Sequence, residues 1–225
     1  MCIRDRNYPD QDYTTNKDTL NFNLTVMSPY FVKYSFQYGI GTNPEQWINL
    51  IQDGRNQISN EDVYKLDLST LQEGGYTARL VLDLNNGSST EERINFFIQR
   101  TQPEVEVIGI GPVYLGNNTT ILSEVYTDQR AIVRLYYRIT GTEEFNFVTL
   151  DGFLINNQFV KQLHYGFIPQ QIINQNTSYE VYLEAENLAG LKKEIRDENG
   201  NYFLFSTDKY PALINYTESV SYTHL

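Results

Sequence analysis

Cysteine is almost absent from this chain. Of 225 residues only Cys2 is a cysteine, and only His164 and His224 are histidines. One thiol cannot close an internal disulfide, and so few His and Cys cannot complete a four-ligand metal centre. Basic residues are scarce as well: 17 Lys and Arg face 28 Asp and Glu, a formal net charge of -11. So acidic a chain suits neither nucleic acid, where Lys and Arg at phosphates supply most of the affinity, nor an anionic membrane surface. No apolar run approaches the roughly 20 residues that span a bilayer, and no stretch keeps a helical period.

The rare residues gather at the ends. The chain opens MCIRDR and closes VSYTHL, and neither hexamer resembles the rest. A codon set for the first five residues, ATG TGT ATA AGA GAC, has the reverse complement GTC TCT TAT ACA CAT. That sequence translates as V-S-Y-T-H, which is Val220 to His224. The two ends resemble one transposon adapter of the kind used in sequencing libraries, read on opposite strands. Residues 1–6 and 219–225 are therefore expected to be adapter and are set aside. Cys2 and His224 go with them, and the loss of Arg4, Asp5 and Arg6 leaves the insert one unit more acidic. The insert is expected to be a piece of a longer protein.

What the chain has in abundance is Tyr, 18 of them, with frequent Val, Ile and Thr. That composition favours strands. A repeat is visible too. YTARLVLDLNNG begins at Tyr76 and YEVYLEAENLAG at Tyr179. In the first, Tyr76, Ala78, Leu80, Leu82 and Leu84 alternate with Thr77, Arg79 and Asp83. In the second, Tyr179, Val181, Leu183 and Ala185 alternate with Glu180, Tyr182, Glu184 and Glu186. A period of two with a polar partner face marks a half-buried antiparallel strand. Upstream, VKYSFQYGIG from Val32 corresponds to VRLYYRITG from Val133, and WINL from Trp47 to FVTL from Phe147.

Turn signals separate these strands. Asn85 to Gly87 and Glu198 to Gly200 read as tight hairpin turns, because glycine accepts positive φ. Pro44 fixes the GTNPEQ loop, and Thr101 to Pro103 marks a boundary. The predicted strands are 19–27, 31–39, 46–51, 63–68, 75–84 and 92–99 in a first unit, with no clear opening strand. The second unit has 104–110, 119–126, 131–139, 145–150, 159–165, 178–186 and 201–206. The expected fold class is all-β, two consecutive sandwiches of about 100 residues each. The first covers 7–101 and the second 102–208, with 209–218 beginning a further link or module.

TSYEVYLEAENLAG resembles the penultimate strand of a fibronectin type III domain. The resemblance implies that Tyr179, and Tyr76 in LQEGGYTARL, are tyrosine corners whose hydroxyls return to backbone. The first unit is similar to immunoglobulin-like repeats appended to bacterial secreted subtilisin-like peptidases and large surface proteins. Tyr34, Tyr38, Gly39, Gly41, Asn43, Pro44, Trp47, Asp67, Gly75 and Tyr76 match that pattern in order. The Trp typical of the second strand in animal fibronectin type III domains is missing from both units, and there is no Arg-Gly-Asp motif.

Catalytic constellations are sparse. His164, in FVKQLHYGF, is the one imidazole left for a Ser-His-Asp arrangement, and it reads as a solvent-facing strand residue. Asp197, Glu198, Asn199 and Asn201 in RDENGNY offer oxygens but lack the spacing of a calcium loop, so a solvated turn is expected. No catalytic residue, metal or cofactor is assigned. Six Asn-x-Ser/Thr triplets, at Asn23, Asn86, Asn117, Asn118, Asn176 and Asn215, fit an Asn-rich composition. Trp47 is the best binding candidate: an exposed ring can stack on a sugar, with Tyr34, Tyr38 or Tyr64 extending the platform. The competing reading is a packing Trp, matched by Phe147 in the repeat. The expectation is a non-catalytic spacer or interaction pair from a secreted or cell-surface bacterial protein. Its partners are neighbouring domains of the same polypeptide, with a glycan or surface protein as the alternative.

Overall fold

The computed structural model describes residues 9–115, 118–154 and 162–208. The expected adapter ends, residues 209–218, Asn117 and Asn215 lie outside them. Every described element is a strand. The chain divides between Thr101 and Gln102 into two compact units.

The first unit holds β1 (Tyr13–Thr15), β2 (Thr19–Val26), β3 (Phe31–Ile40), β4 (Ile48–Gly54), β5 (Ile58–Asp67), β6 (Gly74–Leu84) and β7 (Ser89–Ile98). One sheet runs β1-β7-β6-β3-β4 and the other is the pair β2-β5. Alternation builds the core directly. On β2, Leu20, Phe22, Leu24 and Val26 point inward and are buried, while Asn21 between them and Thr19 at the start are exposed. Phe22 meets Phe36 edge-on at 4.9 Å and Phe96 at 5.9 Å, joining the two sheets. The short β1, absent from the sequence reading, pairs in parallel with β7. Three residues are too few to show a period.

The second unit holds β8 (Val105–Leu115), β9 (Asn118–Thr127), β10 (Ala131–Ile139), β11 (Asn146–Leu154), β12 (Gln162–Phe167), β13 (Ser178–Asn187), β14 (Lys192–Ile195) and β15 (Phe203–Ser206). One sheet places β13 beside β10 and β10 beside β11; the other runs β12-β9-β8. β11 belongs to both, pairing β10 through Leu150 and β12 from Asp151 onward. Strands that switch sheets in this way close the corner of a sandwich. Val125, Val133, Leu135, Val181, Leu183 and Ala185 are fully buried between the layers. The strand order of the two units corresponds: β2, β3, β5 and β6 take the places of β9, β10, β12 and β13. Both units are all-β sandwiches.

The last strand of the second unit is split. β14 pairs with Leu183–Glu186 and β15 with Ser178–Val181, and the RDENGNY turn separates them. The sequence reading missed β14, because KKEI carries too little apolar signal.

Candidate functional site

The outer face of the first unit's larger sheet carries Trp47. Alternation turns Gln37, Arg79 and Arg93 toward the same side. The Arg79 guanidinium lies over the indole at 3.9 Å and that of Arg93 at 5.3 Å. Arg93 pairs with Glu91 at 2.8 Å, and Arg79 with the same carboxylate at 3.7 Å. Burial is the main cause that lowers the Arg79 pKa. Trp47 is thus half-buried on an outer face, under cations that occupy its π-surface.

Tyr34 and Tyr38 do not join it. Both are core residues, 7% and 8% exposed. The period of two puts them on the inner face of β3, opposite Trp47. Burial, reinforced by Glu61, raises the Tyr34 pKa. The three-ring platform expected from the sequence is therefore not assembled. Tyr64 packs partly against the core.

Tyr76 and Tyr179 stand at the start of β6 and β13, both buried. The Tyr76 hydroxyl donates to the Gln72 carbonyl at 2.8 Å, and the Tyr179 hydroxyl accepts from the Asn174 N–H at 2.7 Å. Each ties the chain entering a central strand to the body of its unit.

The second unit carries a larger aromatic array that the sequence reading did not assemble. Tyr136 on β10 and Tyr182 on β13 are directly opposed in register. Their rings stack at 4.7 Å with a 4° interplanar angle. Phe147 on β11 flanks Tyr136 at 5.3 Å, and Tyr202 flanks Tyr182 at 5.8 Å. Phe145 bridges Tyr182 and Tyr202 at 5.0 and 5.1 Å. The rung crosses the strands, and rows of charge border it. Arg138 lies over Phe145 at 4.4 Å and donates to Glu180 at 2.6 Å. Arg134 bonds Glu186 at 2.8 Å and Glu184 at 3.3 Å. That hydrogen bond from Arg134 holds the Glu186 carboxyl below its ordinary pKa. Burial, then the neighbouring Tyr136, pushes the Tyr182 phenol up to about 12. The signal lay in the outward positions: Arg-x-Tyr-x-Arg from Arg134 faces Glu-x-Tyr-x-Glu from Glu180.

His164 faces the core and not solvent, at 1% exposure. β12 lies between β11 and β9, and His164 projects inward opposite Gly152 and Val125. Room for the ring comes from Gly152, where a Cβ would sit 2.7 Å from His164 Nδ1 and 2.5 Å from Gln162 Nε2. The Thr127 hydroxyl donates to the Gln129 carbonyl at 2.8 Å, so its oxygen accepts from His164 Nε2–H at 3.2 Å. Nδ1 is then the bare nitrogen, buried and with no hydrogen-bond partner among the described residues. Burial drives the imidazole pKa down to about 4. This side chain is a neutral core residue, and among the described residues no carboxylate hydrogen-bonds it to orient it for base catalysis.

In RDENGNY the Asp197 carboxylate is engaged within its own turn. Asp197 Oδ1 accepts from the N–H groups of Asn199 at 2.9 Å and Asn201 at 2.7 Å. Asn187 Oδ1 makes the same two bonds, to Ala189 and Leu191. Gly190 and Gly200 complete the turns at φ 81° and 78°, and Gly87 does so at 81° in the first unit. Among the described residues no group of three His, Cys, Asp or Glu is placed to hold a metal.

No protein-family model matches the chain, and no curated relative matches it in sequence. Several solved structures are similar. A tetra-tandem repeat from the extending region of a large adhesion protein is 13% identical over 86% of this chain and 48% of its own, with a TM-score of 0.35. The Bacteroides ovatus mixed-linkage glucan utilization protein SGBP-B, in complex with a mixed-linkage heptasaccharide, is 13% identical over 91% and 46%, at 0.23. A marsupial T cell receptor is 12% identical over 82% and 95%, at 0.27. The chain spans about half the length of the first two.

Proposed function

We propose that this chain is a pair of non-catalytic structural modules within a larger secreted or cell-surface bacterial protein. The observation that carries the reading is how the two aromatic outer faces are satisfied. Guanidinium groups cover Trp47. The Tyr136 and Tyr182 rings cover one another. Each bordering arginine is tied to a carboxylate on its own sheet. Such faces stiffen a sheet by cross-strand pairing and leave few ring faces open for a ligand. The link from β7 to β8 is only 99–104, so one sandwich follows the other with little spare chain, as suits a spacer.

Independence of the two units tests the reading. Trp47 is the sole Trp, so its fluorescence reports the first unit alone. Leu183→Ala, which empties a fully buried site in the second unit, is expected to cost about 2–5 kcal/mol there. The Trp47 denaturation midpoint should stay in place. A Trp47 transition that moves with the Leu183→Ala variant would refute separate modules.

A second reading is glycan or surface-partner binding, accessory to a secreted hydrolase such as a subtilisin-like peptidase. It rests on Phe147, which is 53% exposed at the end of the rung, and on the remaining exposure of Trp47. A glycan array probed with the full chain tests it, with signal lost in Trp47→Ala or Phe147→Ala. A silent array would count against it.

A further inference from the structure

We infer that the outer face of the β12-β9-β8 sheet docks a short stretch of another polypeptide in which arginine or lysine alternates with apolar residues. This goes beyond the structural role above and names the chemistry of a surface partner. The first observation is what alternation turns outward. His164 on β12 faces the core, so Tyr165 and its like-facing neighbours Leu163 and Phe167 face out. Register places Asp151 on β11 and Glu124 on β9 to either side of Tyr165. Phe153 and Leu163 pair in the next row, and Phe153 meets the Tyr165 ring edge-on at 6.3 Å. Phe153 and Tyr165 are each 50% exposed, and Phe167 is exposed beside them. Contiguous exposed apolar side chains of this kind mark interaction surfaces.

The second observation is a contrast with the other aromatic faces. Arg79 and Arg93 lie over Trp47, and Arg138 lies over Phe145. On β10 and β13 the rung of rings is bordered by Arg134 and Arg138, each bonded to a glutamate. On the β12 face the same ingredients recur without the base. Two carboxylates flank a tyrosine, and Glu106 on β8 adds a third in the row of Phe153. Among the described residues the outward positions of these strands carry no arginine or lysine.

Charge complementarity therefore selects the occupant. A guanidinium or ammonium group from a partner can lie against the Tyr165 and Phe153 rings and reach Glu124 or Asp151, as Arg138 serves Phe145 and Glu180 within this chain. The apolar residues between such bases would cover Leu163 and Phe167. A second copy of this face is a poor occupant, because acid would meet acid. A glycan fits less well, because Leu163 and Phe167 offer its hydroxyls no hydrogen bond. The patch is also small. Three rows across four strands span roughly 13 by 14 Å, well under the roughly 800 Å² per partner of a standard interface. It suits a short segment rather than a whole folded face.

The test is an array of hexapeptides that alternate apolar residues with Arg, Lys, Gln or Glu, probed with the full chain. The Arg and Lys sets should bind, more weakly as salt rises, and the Gln and Glu sets should not. Tyr165→Ser should weaken binding at least about tenfold, and so should Glu124→Gln combined with Asp151→Asn. The isosteric carboxylate pair keeps the test decisive if Tyr165→Ser disturbs the circular dichroism spectrum. Glu143→Gln with Glu144→Gln removes as much charge from the exposed turn between β10 and β11. That control should leave binding within about twofold, whereas general attraction to a chain of charge -11 would weaken alike in both pairs. Trp47→Ala and Phe147→Ala should also leave it unchanged, so this inference and the glycan reading fail separately. No binding by the Arg and Lys sets would overturn the inference. So would equal losses in the two carboxylate pairs, or a glycan-array signal that disappears in Tyr165→Ser, which would place a sugar on this face.

Discussion

Acidification to pH 5 should destabilise the second unit through His164, and the size of the effect follows from its burial. The folded imidazole has a pKa of about 4, against roughly 6.5 in an unfolded chain. Between those values the unfolded state binds the proton and the folded state does not, so stability rises with pH across the window. The full difference, about 2.5 units at 1.36 kcal/mol each, sets a ceiling of about 3 kcal/mol. About 2 kcal/mol of that should already be lost at pH 5 relative to pH 7.5. The carboxylates with lowered pKa, Asp53, Asp67 and Glu186, also lose their stabilisation as pH falls, but in a lower window. Their stabilisation is complete above roughly pH 4 and is lost below it, so the range from pH 5 to 6.5 isolates His164. The assay is urea denaturation of the second unit, followed by its tyrosine circular dichroism, on the wild type and on His164→Leu. The variant removes the titrating group along with its unpaired nitrogen. The wild type should lose about 2 kcal/mol more than His164→Leu between pH 7.5 and 5. Equal slopes would refute the argument and place the imidazole in contact with water.

Other substitutions probe the framework. Tyr179→Phe and Tyr76→Phe each delete one hydroxyl hydrogen bond, and each should cost about 1 kcal/mol in its own unit, read by denaturation. Gly190→Ala forces a Cβ into positive φ and should destabilise the second unit by more than ~1 kcal/mol. Arg79→Ala uncovers Trp47, so Trp emission should shift to the red; an unmoved spectrum would mean the guanidinium does not shield the ring.

Most of the architecture was legible because alternation is a backbone property. The inward sets on β6 and β13 follow from the period of two alone. The hairpin turns at Gly87 and Gly190 follow from glycine's freedom at positive φ, whereas the turn at Gly200, expected as a hairpin, instead separates two strands that both pair with β13. Side-chain placement was less legible where it depends on register. Tyr34, Tyr38 and Trp47 are close in sequence, yet the reversal between β3 and β4 puts the tyrosines inside and Trp47 outside. His164 looked solvent-facing because it shares a strand with Gln162. Its burial depends on Gly152, a residue of the neighbouring strand whose missing Cβ leaves the space. The aromatic rung was hidden for the same reason. Its rings come from β10, β11, β13 and the turn before β15, and only cross-strand pairing brings them together.

Pulling single molecules by their ends tests the central claim, two separately closed sandwiches in series, most directly. Two discrete unfolding steps are expected, each releasing roughly 25–35 nm of chain, the extended length of about 90–100 residues less the folded span. One step releasing the whole chain at once, or a smooth extension with no step, would contradict it.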